Sequence, residues 1–391
     1  MPRSRSTTRS SAEISKATLD ALARQIGVAR VARVTGLDRG GVEVACAIRP
    51  GGHVLQVSNG KGLDAQAARA GALLEAAELW AAENPDPSRL IIASCLELKA
   101  RGVAAWPFAD ELLSGAPFSP ALRIAWTQAR VLAAPTTDRL QSDVVLVPAA
   151  LVHCVSANGP WLGPAVHRWT SNGMGAHPDG ELALRHALLE AAERDLLARA
   201  LPHGWTPRDV QRRKLDPSSI NAVAPRIAEL IAQLRERGLT AHLFDLRPAL
   251  SGTRWLGLML VGALLIDDDA GPIPLSAGYA CAPTLEGALR GALLEAAQSR
   301  LTDVHGARED IDATDHDASR DLAALANRSG RRRLLDAGAL PRGREENSAQ
   351  LTRRFVAAGF TRVAAIDLAP PTLSARVLKV VAPGLRLSEL L

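Results

Sequence analysis

The residues of this chain best placed to do chemistry are glutamates spaced three apart. The string ALLEAAE stands at Ala72–Glu78 and at Ala187–Glu193, and returns as ALLEAAQ at Ala292–Gln298. The copies lie about a hundred residues apart, far beyond the period of a solenoid. On a helix, residues i and i+3 share a face. Glu75 with Glu78, and Glu190 with Glu193, can therefore each point at one spot, and Glu295 is followed at the same spacing by Gln298. Carboxylates held close together repel, so a cation is their natural partner. All-oxygen ligands favour a hard ion such as Mg²⁺, which a few carboxylates commonly share with substrate phosphates. Lys61, Arg194 and Arg290 would suit phosphate oxygens. The bland alternative is a solvated face, because an Ala/Leu-rich chain repeats such strings cheaply. Recurrence behind similar glycine-containing stretches favours one shared ligand site.

Those stretches are Gly60-Lys61-Gly62, Ser171-Asn172-Gly173-Met174-Gly175 and Ala277-Gly278-Tyr279. They read as glycine turns, each feeding an Ala/Leu helix of high propensity. Elsewhere, residues 13–27 read as helix, and Gly41–Ile48, His53–Val57 and Ser142–Val147 as strands. Ala222–Gly238 has amphipathic helical spacing with Gly238 as its stop, and Ala241–Leu246 reads as the next strand. Trp255–Ile266, followed by three aspartates, reads as a buried strand and turn. Ala313–Pro341 reads as surface helix and loop. Strands mixed with helices without strict βαβ alternation give an α+β class. Met1 to Ser11, rich in Arg, Ser and Thr, reads as a disordered tail.

A chain of 391 residues can bury a sizeable core. The aromatic share is 3%, too little for the stacking platforms of single-strand binders. The formal charge is +5, but the arginines are scattered and Arg212-Arg213-Lys214 and Arg331-Arg332-Arg333 are short runs. Nucleic acid is not indicated. No apolar run reaches the length of a membrane span, no secretory h-region is seen in the chain, and the cytoplasm is the expected location. Cys46, Cys95, Cys154 and Cys281 form no C-x-x-C pair, which speaks for reduced, packed thiols over a zinc site. His153 and His177 are not assigned a role. His186, one turn before Glu190, can touch a bound nucleotide or cap the carboxylates.

The chain resembles the YcaO-like superfamily, most closely its TfuA-associated branch. Three segments carry the likeness: Val57–Leu63 leading to Glu75 and Glu78; Ser171-Asn172-Gly173 leading to Glu190–Asp195; and Glu295–Thr302, followed by Arg308-Glu309-Asp310. Val31–Asp38 also looks like this branch. The resemblance implies a YcaO-like α+β fold with mixed or antiparallel sheets, and helices carrying a three-segment ATP/Mg²⁺ site. It implies Glu75, Glu78, Glu190, Glu193 and Glu295 as metal ligands, and Lys61, Ser171, Asn172, His186, Arg194 and Gln298 as nucleotide contacts. The implied chemistry is phosphorylation of a peptide amide oxygen by ATP, then attack on the activated carbon. A neighbouring Cys, Ser or Thr gives an azoline; external sulfide gives a thioamide. The implied partners are a ribosomally made precursor peptide, a TfuA-like protein and a separate leader-binding protein, and a homodimer would fit the family. The expected organisation is a tail over 1–12, an N-terminal segment over 13–55 packing on the core, and a YcaO domain over 56–391.

Three positions depart from the family pattern. Gly71 stands where many members have Ser, Leu79 where many have Arg, and Gly291 where Arg is expected, with Arg290 one place early. One residue rotates a helical side chain by about 100°, which argues against Arg290 as a phosphate ligand. The end of the chain lacks the proline-rich tail of many azoline-forming members, which favours thioamide formation. Two other classes compete: a carboxylate-cluster metal-dependent enzyme with no peptide partner, and a non-catalytic scaffold that binds peptide or the TfuA protein.

Overall fold

The computed structural model describes residues 14–138, 143–247, 256–269, 271, 273–306, 313–328, 330 and 346–387. Met1–Ser11, Ser142, Trp255, Arg308–Asp310 and Arg331–Arg333 lie outside them. The elements run α1 (Lys16–Gln25), β1 (Arg30–Arg33), β2 (Glu43–Ile48), β3 (Val57–Gly62), α2 (Ala65–Glu83), β4 (Ile91–Ala93), α3 (Cys95–Ala100), β5 (Ile124–Ala133) and β6 (Val144–Pro148). They continue β7 (Met174–His177), α4 (Gly180–Ala200), α5 (Pro207–Arg213), α6 (Pro217–Val223), α7 (Pro225–Glu236), β8 (Leu239–Asp245), β9 (Met259–Asp267), β10 (Leu275–Ala282), α8 (Leu285–Val304), α9 (Ala313–Arg328), α10 (Ser348–Ala357), β11 (Val363–Asp367) and β12 (Arg376–Val381).

The strands form three antiparallel sheets: β1-β2-β3, β10-β9-β8, and a larger one in the order β4-β5-β11-β12-β7 with β6 paired to β5. Strand β9 is buried along its whole length, the pattern of a central strand covered on both faces. Three large hydrophobic clusters join the layers. One packs α2 on the large sheet, another packs α4 and α10 against β9 and β10, and the third packs α7 and α8 on the remaining face of β8-β9-β10.

The expected helices and most strands form, with shifted boundaries. His53–Val57 is not a strand; pairing begins at Val57, because the chain before it turns at Gly51-Gly52 and donates the His53 and Val54 amides to Glu83. The amphipathic stretch from Ala222 is broken at Ala224, where Pro225 cannot continue the preceding turn, and α7 ends before Gly238 at positive φ. Gly60-Lys61-Gly62, Gly175 and Ala277-Gly278-Tyr279 lie in strands β3, β7 and β10, not in turns, whereas Asn172-Gly173, with Gly173 at positive φ, is a turn that leads into β7. The turn proper is the short segment after each strand, ending in an N-cap whose side chain accepts a helix N–H: Asp64, Asp179 and Thr284.

The strand glycines have a steric reason. A Cβ on Gly60 would stand 2.1 Å from the Ala72 nitrogen, one on Gly175 2.4 Å from the Ala183 oxygen, and one on Gly278 2.2 Å from the Ala296 nitrogen. Each strand therefore lies with its backbone against the backbone of the helix it feeds. The helices are alanine-rich on that side for the same reason. Gly71 and Gly291 extend the contact: a Cβ would meet the Gly60 Cα at 3.3 Å and the Ala280 Cβ at 2.6 Å. A side chain at Gly291 would force the helix and strand apart, whereas at Gly71 the strand need give by only a few tenths of an ångström.

Candidate functional site

Three strand–helix units, β3–α2, β7–α4 and β10–α8, meet around one recess. Each helix is tied to the strand of the next unit. Glu78 of α2 is eased by the Ala176 backbone amide of β7. Glu193 of α4 accepts the Cys281 backbone N–H of β10 at 2.8 Å. Glu295 of α8 accepts a hydrogen bond from Lys61 Nζ of β3 at 3.0 Å. The ring closes on itself. Within the second unit, Glu190 accepts the Met174 N–H at 2.8 Å.

The five glutamates sense one another. Glu75 feels Glu190 and Glu295, Glu78 feels Glu190 and Glu75, and Glu193 feels Glu295 and Glu190. Burial first, and then these like charges, push Glu75 up to about 7 and Glu193 up to about 8. Glu78 is raised well above the ordinary range for the same reasons. Glu190 is also raised by burial, although Arg194 and Lys379 partly offset it. Burial works against the charge on Lys61, but Glu295, Glu193 and Glu75 outweigh it and raise its pKa. Five carboxylates thus face three nearby cations, Lys61, Arg194 and Lys379, and the recess is short of positive charge. Arg194 lies 3.5 Å from Glu190, while its buried Nε has no hydrogen-bond partner among the described residues.

That donor set fits a hard cation, with one qualification. Among the described residues, no three His, Cys, Asp or Glu side chains converge closely enough to hold a metal ion by themselves. The carboxylates ring the recess with Lys61 and Arg194 between them. An ion there would complete its shell with oxygens from a second ligand, as Mg²⁺ does with phosphates.

The remaining sequence candidates fall into two groups. Asn172 lines a cavity with Arg194, and Gln298 lies one turn beyond Glu295 on the same face, its carbonyl accepting the Thr302 hydroxyl. His186 is reached by solvent yet recessed; loss of bulk water, with Lys61, Arg185 and Arg194 nearby, lowers its pKa and leaves it neutral. Ser171 is exposed at the edge. Arg290 is exposed and lines a separate groove with Arg226 and Glu286, away from the recess. All four cysteines are free, Cys46 and Cys281 buried and Cys95 and Cys154 half-buried. Cys281 meets the site through its backbone; burial pushes its thiol up. His153 is buried, which lowers its pKa to about 4, and His177 Nδ1 accepts the Asp179 N–H at 2.9 Å, bracing the start of α4.

Sequence reasoning missed the backbone amides of Met174 and Cys281, which no residue type announces. It also missed Lys379, a buried lysine in β12 beside the recess. Its one visible signal is a lysine inside the apolar run Val377–Val381.

Residues 59–386 match a family model described as YcaO cyclodehydratase, ATP- and Mg²⁺-binding. An uncharacterized protein in the tfuA 3′ region of Rhizobium leguminosarum bv. trifolii is 29% identical over 374 residues, 93% of this chain and 84% of the relative. An uncharacterized protein of Methanothermobacter thermautotrophicus is 28% identical over 308 residues, 73% of this chain and 68% of its own. Among solved structures, the YcaO protein of Methanopyrus kandleri bound with AMPPCP and Mg²⁺ superposes with a TM-score of 0.69 at 24% identity, covering 95% of this chain and 90% of that one. A heterocyclase in complex with substrate and cofactor also gives 0.69, at 19% identity, over 94% of this chain and 52% of that one. No helix among the described residues is long and apolar enough to cross a membrane.

Proposed function

The chain belongs to the YcaO family, whose cofactors are ATP and Mg²⁺, and we propose that it activates backbone amides of a ribosomally made peptide by O-phosphorylation, forming thioamides together with a TfuA-like protein. The observation that carries the reading is the closed ring of three strand–helix units. It brings Glu75, Glu78, Glu190, Glu193 and Glu295 to one recess that lacks positive charge. These five would hold Mg²⁺, with Lys61 and Arg194 on phosphate oxygens and Ser171, Asn172, His186 and Gln298 toward the nucleotide. Bound Mg²⁺ would neutralise the triphosphate and polarise its terminal group.

An amide oxygen is a poor nucleophile and a poor leaving group, and phosphate corrects the second defect. Phosphoryl transfer asks chiefly for positioning and charge compensation. The chain's residues are suited to that: the Met174 and Cys281 amides orient Glu190 and Glu193, Lys61 orients Glu295, and Arg194 keeps a free Nε. The thioamide outcome is supported by the relative from the tfuA region. Azoline formation is the second reading, favoured by the family's description as cyclodehydratase.

Calorimetric titration of Mg²⁺–ATP into wild type and Glu190→Gln tests the site. Wild type is expected to bind only when Mg²⁺ is present, and the variant to bind at least about 100-fold more weakly with no loss of melting temperature. Equal binding by the variant sinks the reading. Co-expression with a TfuA protein and a precursor peptide then separates the products by mass: exchange of oxygen for sulfur, or loss of one water.

A further inference from the structure

Strand β12 buries Lys379 to 3% exposure, with its ammonium on the carbonyl of Thr170 and 5.4 Å from the centre of the Trp169 ring. An ammonium has three protons to donate. Only one finds an oxygen here, and no carboxylate of the described residues lies within ion-pair distance. A buried cation without an ion pair is costly, by several kcal/mol per ion before compensation. An apolar side chain in this strand would pack at lower cost. The lysine therefore points to a negative group that arrives from outside.

Its surroundings say where that group sits. Lys379 is in register with Met174 of β7, whose amide holds Glu190, and it feels the Glu190 charge across this short distance. On its other side it forms the wall of a cavity of about 340 Å³ that it shares with Arg194, Asn172 and Arg168. The far walls, Leu112, Leu151 and Leu385 among them, are apolar. Lys379 thus stands between the carboxylate recess and an adjoining chamber with both cations and apolar walls, the features a peptide segment approaching a phosphoryl group would meet.

We propose that Lys379 is a catalytic residue whose ammonium contacts the phosphoryl group during its transfer to the substrate amide, and that the adjoining cavity is where that amide enters. This rests on the nucleotide reading of the recess. A lone pair of the amide oxygen forms the new bond to the γ-phosphorus. The bond from that phosphorus to the β–γ bridging oxygen breaks, and its electron pair leaves on ADP. The amide nitrogen shares the positive charge that the new bond leaves on the substrate. Lys379 exchanges no proton in this step; it offsets the negative charge on the phosphoryl oxygens in flight, together with Arg194.

The test needs no peptide. Wild type, Lys379→Met and Lys379→Arg are titrated with ADP–Mg²⁺ alone and with aluminium fluoride added as a mimic of the phosphoryl group in transit, and their melting temperatures are compared. Lys379→Met is expected to hold ADP–Mg²⁺ within about 3-fold of wild type and to lose about 100-fold for the mimic complex. Its melting temperature should be unchanged or higher, because Met removes the unpaired charge. Lys379→Arg should recover most of the loss. The proposal is overturned if Lys379→Met binds the mimic complex as tightly as wild type, or if both affinities fall equally along with the melting temperature. A wild type that binds no ADP–Mg²⁺ overturns the nucleotide reading itself, a result distinguishable from either.

Discussion

Helix α8 carries two charged residues into two clusters of opposite character. Arg300 enters a cluster in which every nitrogen is used: its Nε reaches Asp38 at 3.0 Å, one terminal nitrogen reaches Asp267 at 2.8 Å and the other the Ile273 carbonyl at 2.9 Å. Arg39 completes the second oxygen of Asp267. Glu295, five positions earlier, enters the recess, where carboxylates outnumber cations and Arg194 keeps an unpartnered Nε. Asp267 is held below the ordinary carboxylate range: burial raises it, but the Asp269 amide and Arg300 outweigh burial. Glu75 and Glu193 move the other way. Both regions are partly desolvated and both are ionic. Charge balance separates them: a satisfied cluster fixes the fold, whereas an imbalance held in place by backbone amides is set up for a ligand.

The most severe way to break the contrast is Arg300→Met. It strips Asp38 of its ion-pair partner and leaves Asp267 with Arg39 alone, and should cost about 3–5 kcal/mol in urea unfolding. Glu75→Gln, by contrast, removes a repelling charge and should leave the unfolding midpoint unchanged or raised, while Mg²⁺–ATP binding is lost. Equal destabilisation by the two variants would erase the distinction.

A smaller effect tests the steric basis of the recess. Gly278→Ala places a methyl 2.2 Å from the Ala296 nitrogen and 2.4 Å from the Ala292 oxygen, both backbone atoms that cannot swing aside. A cost of about 1–3 kcal/mol is expected, with weaker Mg²⁺–ATP binding because α8 must move and take Glu295 with it. Gly51→Ala, where a Cβ would meet nothing within 4 Å, is the control.

The mildest test is acid. Glu83 is buried against Arg49 at 2.6 Å, and Arg49 with the His53 and Val54 amides outweighs burial and lowers its pKa. A carboxylate whose folded pKa is depressed contributes stability above its unfolded pKa, and loses it as pH falls through the folded value. Glu83 and Asp267 should therefore make the urea midpoint fall once the pH drops below the ordinary carboxylate range, about 4, and Glu83→Gln should flatten that fall. An unchanged pH profile in the variant would remove Glu83 from the balanced class.

Much of the site was legible in the chain because it obeys short-range rules. The i, i+3 spacing places Glu75 with Glu78 and Glu190 with Glu193 on single helix faces wherever those helices lie. Caps such as Asp64 and Thr284 are local for the same reason. Gly173 is the turn residue expected, at positive φ, but the strand glycines were misread as turns: a missing Cβ looks the same in sequence whether it frees φ or admits a neighbouring backbone. Only the partner helix shows that Gly60, Gly175 and Gly278 do the latter.

By itself, then, the sequence determined which carboxylates share a face, the α+β class and the helix starts, since those depend on residues a turn apart. The tertiary structure decided that Glu78 would rest on β7, Glu193 on β10 and Glu295 on Lys61, and that Lys379 would be buried beside Glu190. Those contacts join segments far apart in the chain. They exist because backbone-close strand–helix packing fixes the three helices around one recess, and burial there changes what each charge costs.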